Sequence, residues 1–390
     1  MIHWQLLIAT SILILLTLPG TIELAMITFA GILPSRDRLP KGTVTNIAKL
    51  AIVIPAHNEA AEIVRCVHSV ARCTPPDLLE TEIVVVADNC TDATANLARV
   101  AGARVLVRTD TAGLGKGFAL KFAFGILLNE GFDAVLVIDA DSVVDSNFLL
   151  EVVRRFRAGA DGVQARYLVL NPEASLRTRL MNVAFMAFNV LRARGRERMG
   201  LSVGIFGNGF GLTKSTLEAV PYDSHSIVED LDYHLQLVQA GRKVVFVEGA
   251  HVRGEMPAGG RGASTQRARW EGGRLRTAVQ NLPGLLAGVV AGKLRLLEPS
   301  LEMLLMPLAF HVTLLGITAL MPFGIARIYA LFGLALVAVH VMAGILVGGG
   351  DWRDFGALLW APFYVAWKLL ALPKTLQSAR SVAPWIRTDR

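Results

Sequence analysis

The sequence predicts an α/β protein: a water-facing domain of alternating strands and helices, flanked by helices apolar enough to cross a membrane. Three observations carry this. Residues 5–33 are apolar with a single charge, Glu23. Between residues 48 and 275 short β-branched runs alternate with helical patterns. After Glu302 no charge appears until Arg327, and after Arg327 none until Asp351. Composition agrees: 53% of the 390 residues are hydrophobic, only 18% are charged, and mean hydropathy is +0.47. Soluble domains carry about 25% charge, so disorder, collagen and coiled coil are excluded. A net charge of +7 suits anionic lipid or a phosphorylated substrate. No dense basic run with interleaved aromatics marks a nucleic-acid binder. Cys66, Cys73 and Cys90 lack the number and spacing of a disulfide framework or zinc site.

Residues 5–33 are too long for a signal-peptide core, and nothing basic precedes Trp4. They read as a transmembrane anchor, within an N-terminal segment 1–35. Arg36, Arg38, Lys41 and Lys49 follow, so the positive-inside rule puts the next domain in the cytoplasm, at the inner (plasma) membrane. Glu23 is expected to face protein or the interface. In the 48–275 domain, strands are expected at 51–54, 83–87, 104–107 and 134–138. Helices are expected near 59–72, 92–101, 117–129 and 146–157. Continuous apolar strands between helices indicate a parallel-rich sheet covered on both faces, which gathers ligands at strand C-terminal ends.

Over 175–198 a helical face of Leu176, Leu180, Val183, Ala187 and Leu191 is bracketed by Arg177, Arg179, Arg192, Arg194, Arg196 and Arg198. This reads either as a core helix with solvated ends or as a helix beneath the membrane with arginines toward lipid phosphate. Residues 276–298 are expected to form an amphipathic interface segment, 299–373 transmembrane and interfacial helices, and 374–390 a basic tail. The segment 355–373, with Pro362 and Lys368 among aromatics, is expected to lie in the interface, leaving three full spans and a cytoplasmic tail.

The chemistry-bearing residues follow strands. Asp139-Ala140-Asp141 follows an apolar strand. In extended backbone, i and i+2 side chains point the same way, so two carboxylates can share Mg²⁺ or Mn²⁺ and through it a diphosphate. Asp88, ending another strand, can accept hydrogen bonds from a nucleobase or ribose, while Asp92 reads as a helix cap. Glu59, in the turn after the first strand, can border a nucleotide. His57 is not expected to bind metal. Gly113-Leu114-Gly115-Lys116-Gly117 lacks full phosphate-loop spacing, which disfavours a kinase or ATPase, yet Lys116 can approach a phosphate. Glu229 and Asp230 open a helix. Gln266, Arg269 and Trp270 share one helical face, suited to clamping a phosphate and stacking on a sugar.

In this order the pieces resemble the membrane-embedded glycosyltransferases of family 2, which include cellulose, hyaluronan, chitin and poly-N-acetylglucosamine synthases. The resemblance rests on Asp139-Ala140-Asp141, Glu229-Asp230 and Gln266-x-x-Arg269-Trp270, with Gly207-Asn208-Gly209 similar to the family's acceptor-side loop. It implies a GT-A (Rossmann-like) domain and a nucleotide-diphosphate sugar donor, UDP-linked. It also implies a nucleoside contact at Asp88, a metal and diphosphate site at Asp139 and Asp141, a general base at Asp230, and a clamp of Gln266, Arg269 and Trp270. Ala87 stands where the family often has a second acid, which leaves base recognition open. The acceptor is then a growing saccharide or, alternatively, a ceramide-, hopanoid- or polyprenol-type lipid, with room for export or synthesis partner proteins. A transporter is disfavoured by the few spans and by the absence of paired polar half-helices. A catalytically dead scaffold is disfavoured by intact catalytic acids.

Overall fold

The computed structural model describes residues 2–34, 46–223, 226, 228–305, 307–370 and 372, with the side chains of residues 2 and 260–269 outside the description. The chain runs α1 (Ile2–Ile32), β1 (Lys49–Ala56), α2 (Ile63–Ala71), β2 (Glu80–Asp88), α3 (Thr94–Val100), β3 (Arg104–Arg108), α4 (Lys116–Asn129), β4 (Ala134–Val137), β5 (Ser142–Val144), α5 (Phe148–Arg157) and β6 (Gly162–Val169). Then come α6 (Leu176–Phe185), a π-helical stretch Met186–Arg192, α7 (Ala193–Arg198), β7 (Phe210–Thr213), α8 (Lys214–Ala219), α9 (Glu229–Gln239) and β8 (Val244–Gly254). The helices α10 (Gly260–Val290), α11 (Leu297–Leu304), α12 (Leu308–Ala319), α13 (Gly324–Gly348), α14 (Trp352–Ala357) and α15 (Ala361–Leu370) follow.

The strands form one eight-stranded sheet in the order β3-β2-β1-β4-β7-β6-β8-β5. Its first four strands are parallel, as the uninterrupted apolar runs predict. Residues 50–54 and 134–138 are wholly buried, so these strands are covered on both faces, as buried parallel strands are. β7 joins antiparallel to β4 and to β6. All four expected strands are present, and the four expected helices begin and end within a few residues of the expected limits.

The chain divides into two compact units. One contains the sheet: residues 46–178 and 202–258. The other contains 2–34, 179–201 and 259–372. The expected 48–275 domain is therefore not a single contact unit. Residues 179–201 pack among the apolar helices, and the 275/276 boundary falls inside α10, one unbroken helix.

Among the described residues of the second unit, two helices are long and apolar enough to cross a membrane, His3–Ile32 and Gly324–Gly348. The uncharged stretch after Glu302 is not one straight helix. α11 ends at Leu304 and α12 starts after Pro307, and the two are bent by 75°. Glu23, as expected, faces protein: it is 2% exposed and its Oε1 lies 2.5 Å from Arg192 Nη2. The lipid-facing reading of the 175–198 arginines does not hold for those with described partners. Arg192 and Arg196 are buried against glutamates. Arg179 pairs with Asp351 and Asp354, and Arg198 donates to the Pro34 carbonyl. Desolvated guanidiniums need such partners.

Candidate active site

β1, β2 and β4 deliver their C-terminal ends to the same edge of the sheet. β1 runs into Asn58, which holds φ +57°, and β2 into Asn89, which holds φ +50°. Asparagine tolerates this left-handed region better than most side-chain-bearing residues. Both use it to lace neighbouring loops. Asn58 Oδ1 accepts from the Thr91 amide at 2.7 Å, and Asn89 pairs with both the amide (2.9 Å) and the carbonyl (3.1 Å) of Asp110.

Asp88 ends β2 beneath this lacing. Its Oδ1 takes Arg108 Nη1 at 2.7 Å, and the same nitrogen donates to the Gly113 carbonyl at 2.7 Å. Burial pushes the Asp88 carboxyl up while Arg108 pulls it down. His57 Nδ1 donates to the Asp88 carbonyl at 2.7 Å. Glu59 sits at the same loop edge, its amide donating to Thr94 Oγ1 at 2.8 Å. Asp92 accepts from the Thr94 amide at 2.9 Å, but it stands one residue outside the N-cap of α3, which is Ala93 and not the expected Asp92.

Asp139 and Asp141 do not lie in extended backbone. They occupy the turn between β4 and β5, closed by the Ser142 amide donating to the Asp139 carbonyl at 3.0 Å. The alternation argument for a shared direction therefore does not apply; the turn, not the pleat, sets their geometry. Asp139 is ion-paired with Lys116, which also donates to the Gly207 carbonyl at 2.5 Å. Burial works against the Lys116 charge, but Asp139, then Glu229, outweigh it and hold the ammonium above its ordinary range. Asp141 accepts from Ser142 Oγ at 3.0 Å. Among the described residues no group of three or more His, Cys, Asp or Glu is placed to hold a metal ion by itself. Two hard carboxylates on one turn fit half of a Mg²⁺ or Mn²⁺ site, a cation that habitually takes its other ligands from water and substrate phosphate.

The loop Gly207-Asn208-Gly209 closes the site. Asn208 is fully buried, its Oδ1 accepting from the Asp139 amide at 3.1 Å and its Nδ2 donating to Ser142 Oγ at 2.8 Å. Gly207 holds φ +76°, and a Cβ there would lie 3.1 Å from Asp230 Oδ2 and 3.9 Å from Lys116 Nζ. Gly209 holds φ +70°, and a Cβ would run into Val252 at 2.4 Å. Asp230, at the start of α9, accepts the Leu231 amide on Oδ1 at 2.8 Å. Burial raises the Asp230 carboxyl to about 6, opposed by that amide and by Lys116; burial, then Asp230, raises Glu229 to about 8.

The structure thus gathers Lys116, Asp139, Gly207, Asn208 and Asp230, with Asp141 on the same turn and Asp88 tied through Arg108 to the loop that precedes Lys116. Gln266 and Arg269 lie on α10 with side chains outside the described residues; Trp270, on the same helix, is 39% exposed. Sequence reasoning missed Arg108, an arginine ending a strand. It also missed Gln164, which sits in the buried strand β6, accepts from the Phe206 amide and donates to the Asn208 carbonyl, both at 2.8 Å. A polar residue set between Val163 and Ala165 in a strand-like run was the available signal for Gln164.

Four parallel strands continued by a mixed half-sheet, in which β7 and β5 oppose the rest, with acids and a lysine at the strand C-terminal ends, give a Rossmann-like domain of the GT-A class. The family described as "Glycosyltransferase like family 2" matches residues 48–273, and the chain belongs to it. A probable glycosyltransferase, YdaM, of Bacillus subtilis (strain 168) is 26% identical over 239 residues, 58% of this chain and 55% of that one. The chain therefore spans about half the length of that curated relative. The mannosyltransferase PcManGT from Pyrobaculum calidifontis, solved with GDP-Man and Mn²⁺, aligns over 95% of this chain and 96% of its own, with TM-score 0.54 and 16% identity. Glucosyl-3-phosphoglycerate synthase from Mycobacterium tuberculosis, solved with Mn²⁺, UDP and phosphoglyceric acid, aligns over 61% of this chain and 84% of its own, with TM-score 0.40 and 19% identity.

Proposed function

We propose that the chain is a membrane-bound, inverting glycosyltransferase that moves a sugar from a UDP-linked donor onto a growing saccharide, forming a β-glycosidic bond. The observation that carries this is the cluster of Asp230, Lys116 and Asp139 around Gly207: a half-buried carboxylate of raised proton affinity beside a fixed cation. The likeness of the Gln266-x-x-Arg269-Trp270 element to the polymer-forming subtype of the family supports the saccharide acceptor.

In this reading Asp88 meets the nucleoside, and Glu59 borders it. Asp139 and Asp141 hold Mg²⁺ or Mn²⁺ together with the diphosphate. The cation supplies charge neutralisation at the departing diphosphate. The solved mannosyltransferase PcManGT carries Mn²⁺ with its nucleotide sugar, in keeping with that use. Lys116 fixes Asp139 and the Gly207 carbonyl, so the site needs little reorganisation as charge develops. Asp230 takes the proton of the acceptor hydroxyl as its oxygen bonds to the anomeric carbon and the bond to the diphosphate breaks. One base suffices for a single displacement, and the configuration inverts; a retaining double displacement would need a second, positioned carboxylate. Gly207, Asn208 and Gly209 border the acceptor, and Gln266, Arg269 and Trp270 clamp diphosphate and sugar.

The flanking helices hold the catalytic domain at the cytoplasmic face of the inner membrane as a multi-pass protein in contact with lipid. Export or synthesis partners are compatible with this arrangement, and nucleic acid is not a partner. As proposed functional divisions, 48–275 carries the transfer chemistry, 1–35 is an anchor, 276–298 an interface segment, 299–373 membrane and interfacial helices, and 374–390 a basic tail.

A second reading is transfer of one sugar to a ceramide-, hopanoid- or polyprenol-type lipid. It is favoured by the exposed Trp360 and Phe363 at α15, an apolar surface on which a lipid acceptor can rest. Membranes containing the chain, incubated with a panel of UDP-sugars, separate the two readings. A saccharide ladder or polymer supports the first and one lipid-linked product the second. UDP release from none of the donors would refute both.

A further inference from the structure

One turn beyond Trp270, α10 carries Arg274. Arg274 Nη2 donates to the Glu302 carbonyl at 3.0 Å and lies 3.7 Å from Glu302 Oε1. Glu302, on α11, is a hub. Its Oε2 is 2.8 Å from Arg196 Nη2 on α7, and its Oε1 is 3.8 Å from Arg192 Nη2 at the end of the π-helical stretch. Arg196 also reaches Glu298 at 2.5 Å and Glu23 at 3.6 Å. Phe188 stands among them, its ring centroid 4.5 Å from the Arg192 guanidinium and 5.7 Å from that of Arg274. Three guanidiniums and three carboxylates thus join α1, the π-helical stretch, α7, α10 and α11. A second ion pair, Glu271 with Lys368 at 2.6 Å, fastens α10 to α15.

Stability alone does not call for such a network. Replacing buried ion pairs by apolar side chains of similar volume is often neutral or stabilising, and their best-attested use is to fix register. An apolar face can slide or rotate against its neighbour with modest loss, whereas guanidinium–carboxylate forks are directional. A slip of one residue would turn a helix by about 100° and shift it by about 1.5 Å. π-Helical turns, which frequently mark functional sites, here carry Phe188 and Arg192 into the network.

We propose that Arg274 and Glu302 are positioning residues that set the register of α10, and with it the orientation of the Gln266-x-x-Arg269-Trp270 turn at its start. This rests on the reading of that turn as part of the transfer machinery. Misplacement of a reacting group by about 1 Å can cost on the order of 10²-fold. Glu302→Gln in the full-length enzyme, purified in lipid nanodiscs, is therefore expected to lower kcat at least about tenfold. It should also raise the fraction of donor hydrolysed by water rather than transferred. Arg274→Lys, which keeps charge without the fork, should fall between Glu302→Gln and wild type. A merely structural role predicts activity reduced in step with the folded fraction, with the transfer-to-hydrolysis ratio and the acceptor KM unchanged; that result overturns the proposal. If Glu302→Gln does not fold, Arg274→Gln, at the rim of the network, gives the same comparison. Arg269→Ala, measured alongside, separates the two levels. Full activity in Arg269→Ala would remove the reading of the turn, and the proposal with it. An inactive Arg269→Ala together with wild-type kinetics in the folded Glu302→Gln or Arg274→Gln would overturn the register proposal alone.

Discussion

Asp230 shows how one side chain is prepared for its proposed task. Burial raises its proton affinity, and the Leu231 amide and Lys116 limit the rise, leaving a base closer to neutral pH than an ordinary carboxylate. Asp230→Asn keeps size and hydrogen bonding but removes the proton acceptor. We expect turnover to fall about 10²–10⁴-fold, the usual worth of a positioned base, with donor binding by calorimetry within a few-fold of wild type. Asp232→Asn, two residues on, should be mild. A dead Asp232→Asn beside an active Asp230→Asn would shift the catalytic register. The pH dependence follows in sign. The base works deprotonated, so kcat should rise with pH through an acid limb near 6, above the ordinary carboxylate range. A limb near pH 4 would mean that the titrating base is not a buried acid.

At the scale of elements, the loops do what the strands only aim. The turn of Asp139 and Asp141 and the Gly207-Asn208-Gly209 loop are locked together by Asn208, so a change in either loop is felt at both. Gly207→Ala asks a side chain to adopt φ +76° and brings a methyl 3.1 Å from Asp230 Oδ2. The left-handed backbone alone costs about 1–2 kcal/mol. We expect a folded protein with a modestly lower Tm and turnover down at least about tenfold, measured as nucleoside diphosphate released. Wild-type turnover in Gly207→Ala would mean that this loop is not next to the reacting hydroxyl.

The strands themselves were legible, because a buried parallel strand needs an unbroken apolar run and little else does in a span of five residues. The acids were legible because they follow those runs. What the sequence concealed was tertiary pairing. Nothing local ties Asp88 to Arg108, twenty positions away, or Gln164 to the Asn208 carbonyl. The periodic face of 175–198 was visible, but whether its arginines meet lipid, solvent or protein stayed open, because Glu23, Glu298 and Glu302 lie in distant segments. The pleat does not reach Asp139 and Asp141 because β4 ends at Val137, one residue earlier than expected, and a turn follows.

On the scale of the whole molecule, a sheet domain and an apolar helical unit are interleaved in sequence, with 179–201 contributed to the helices from between β6 and β7. Trp360, one residue before α15, and Phe363, in its first turn, are exposed, aromatics of the kind that sit at a membrane interface. A reporter fused after Arg390 should accordingly be active on the cytoplasmic side; periplasmic activity would mean that the last segment crosses.

The central claim is that the carboxylates after β4 anchor a cation and diphosphate for sugar transfer. The most direct measurement is UDP release by the purified full-length chain, supplied with its donor and acceptor, before and after chelation and in Asp141→Asn. The predicted result is loss of release in excess chelator, recovery on adding Mg²⁺ or Mn²⁺, and loss of most activity in a folded Asp141→Asn. Undiminished release in excess chelator, or in Asp141→Asn, would contradict it.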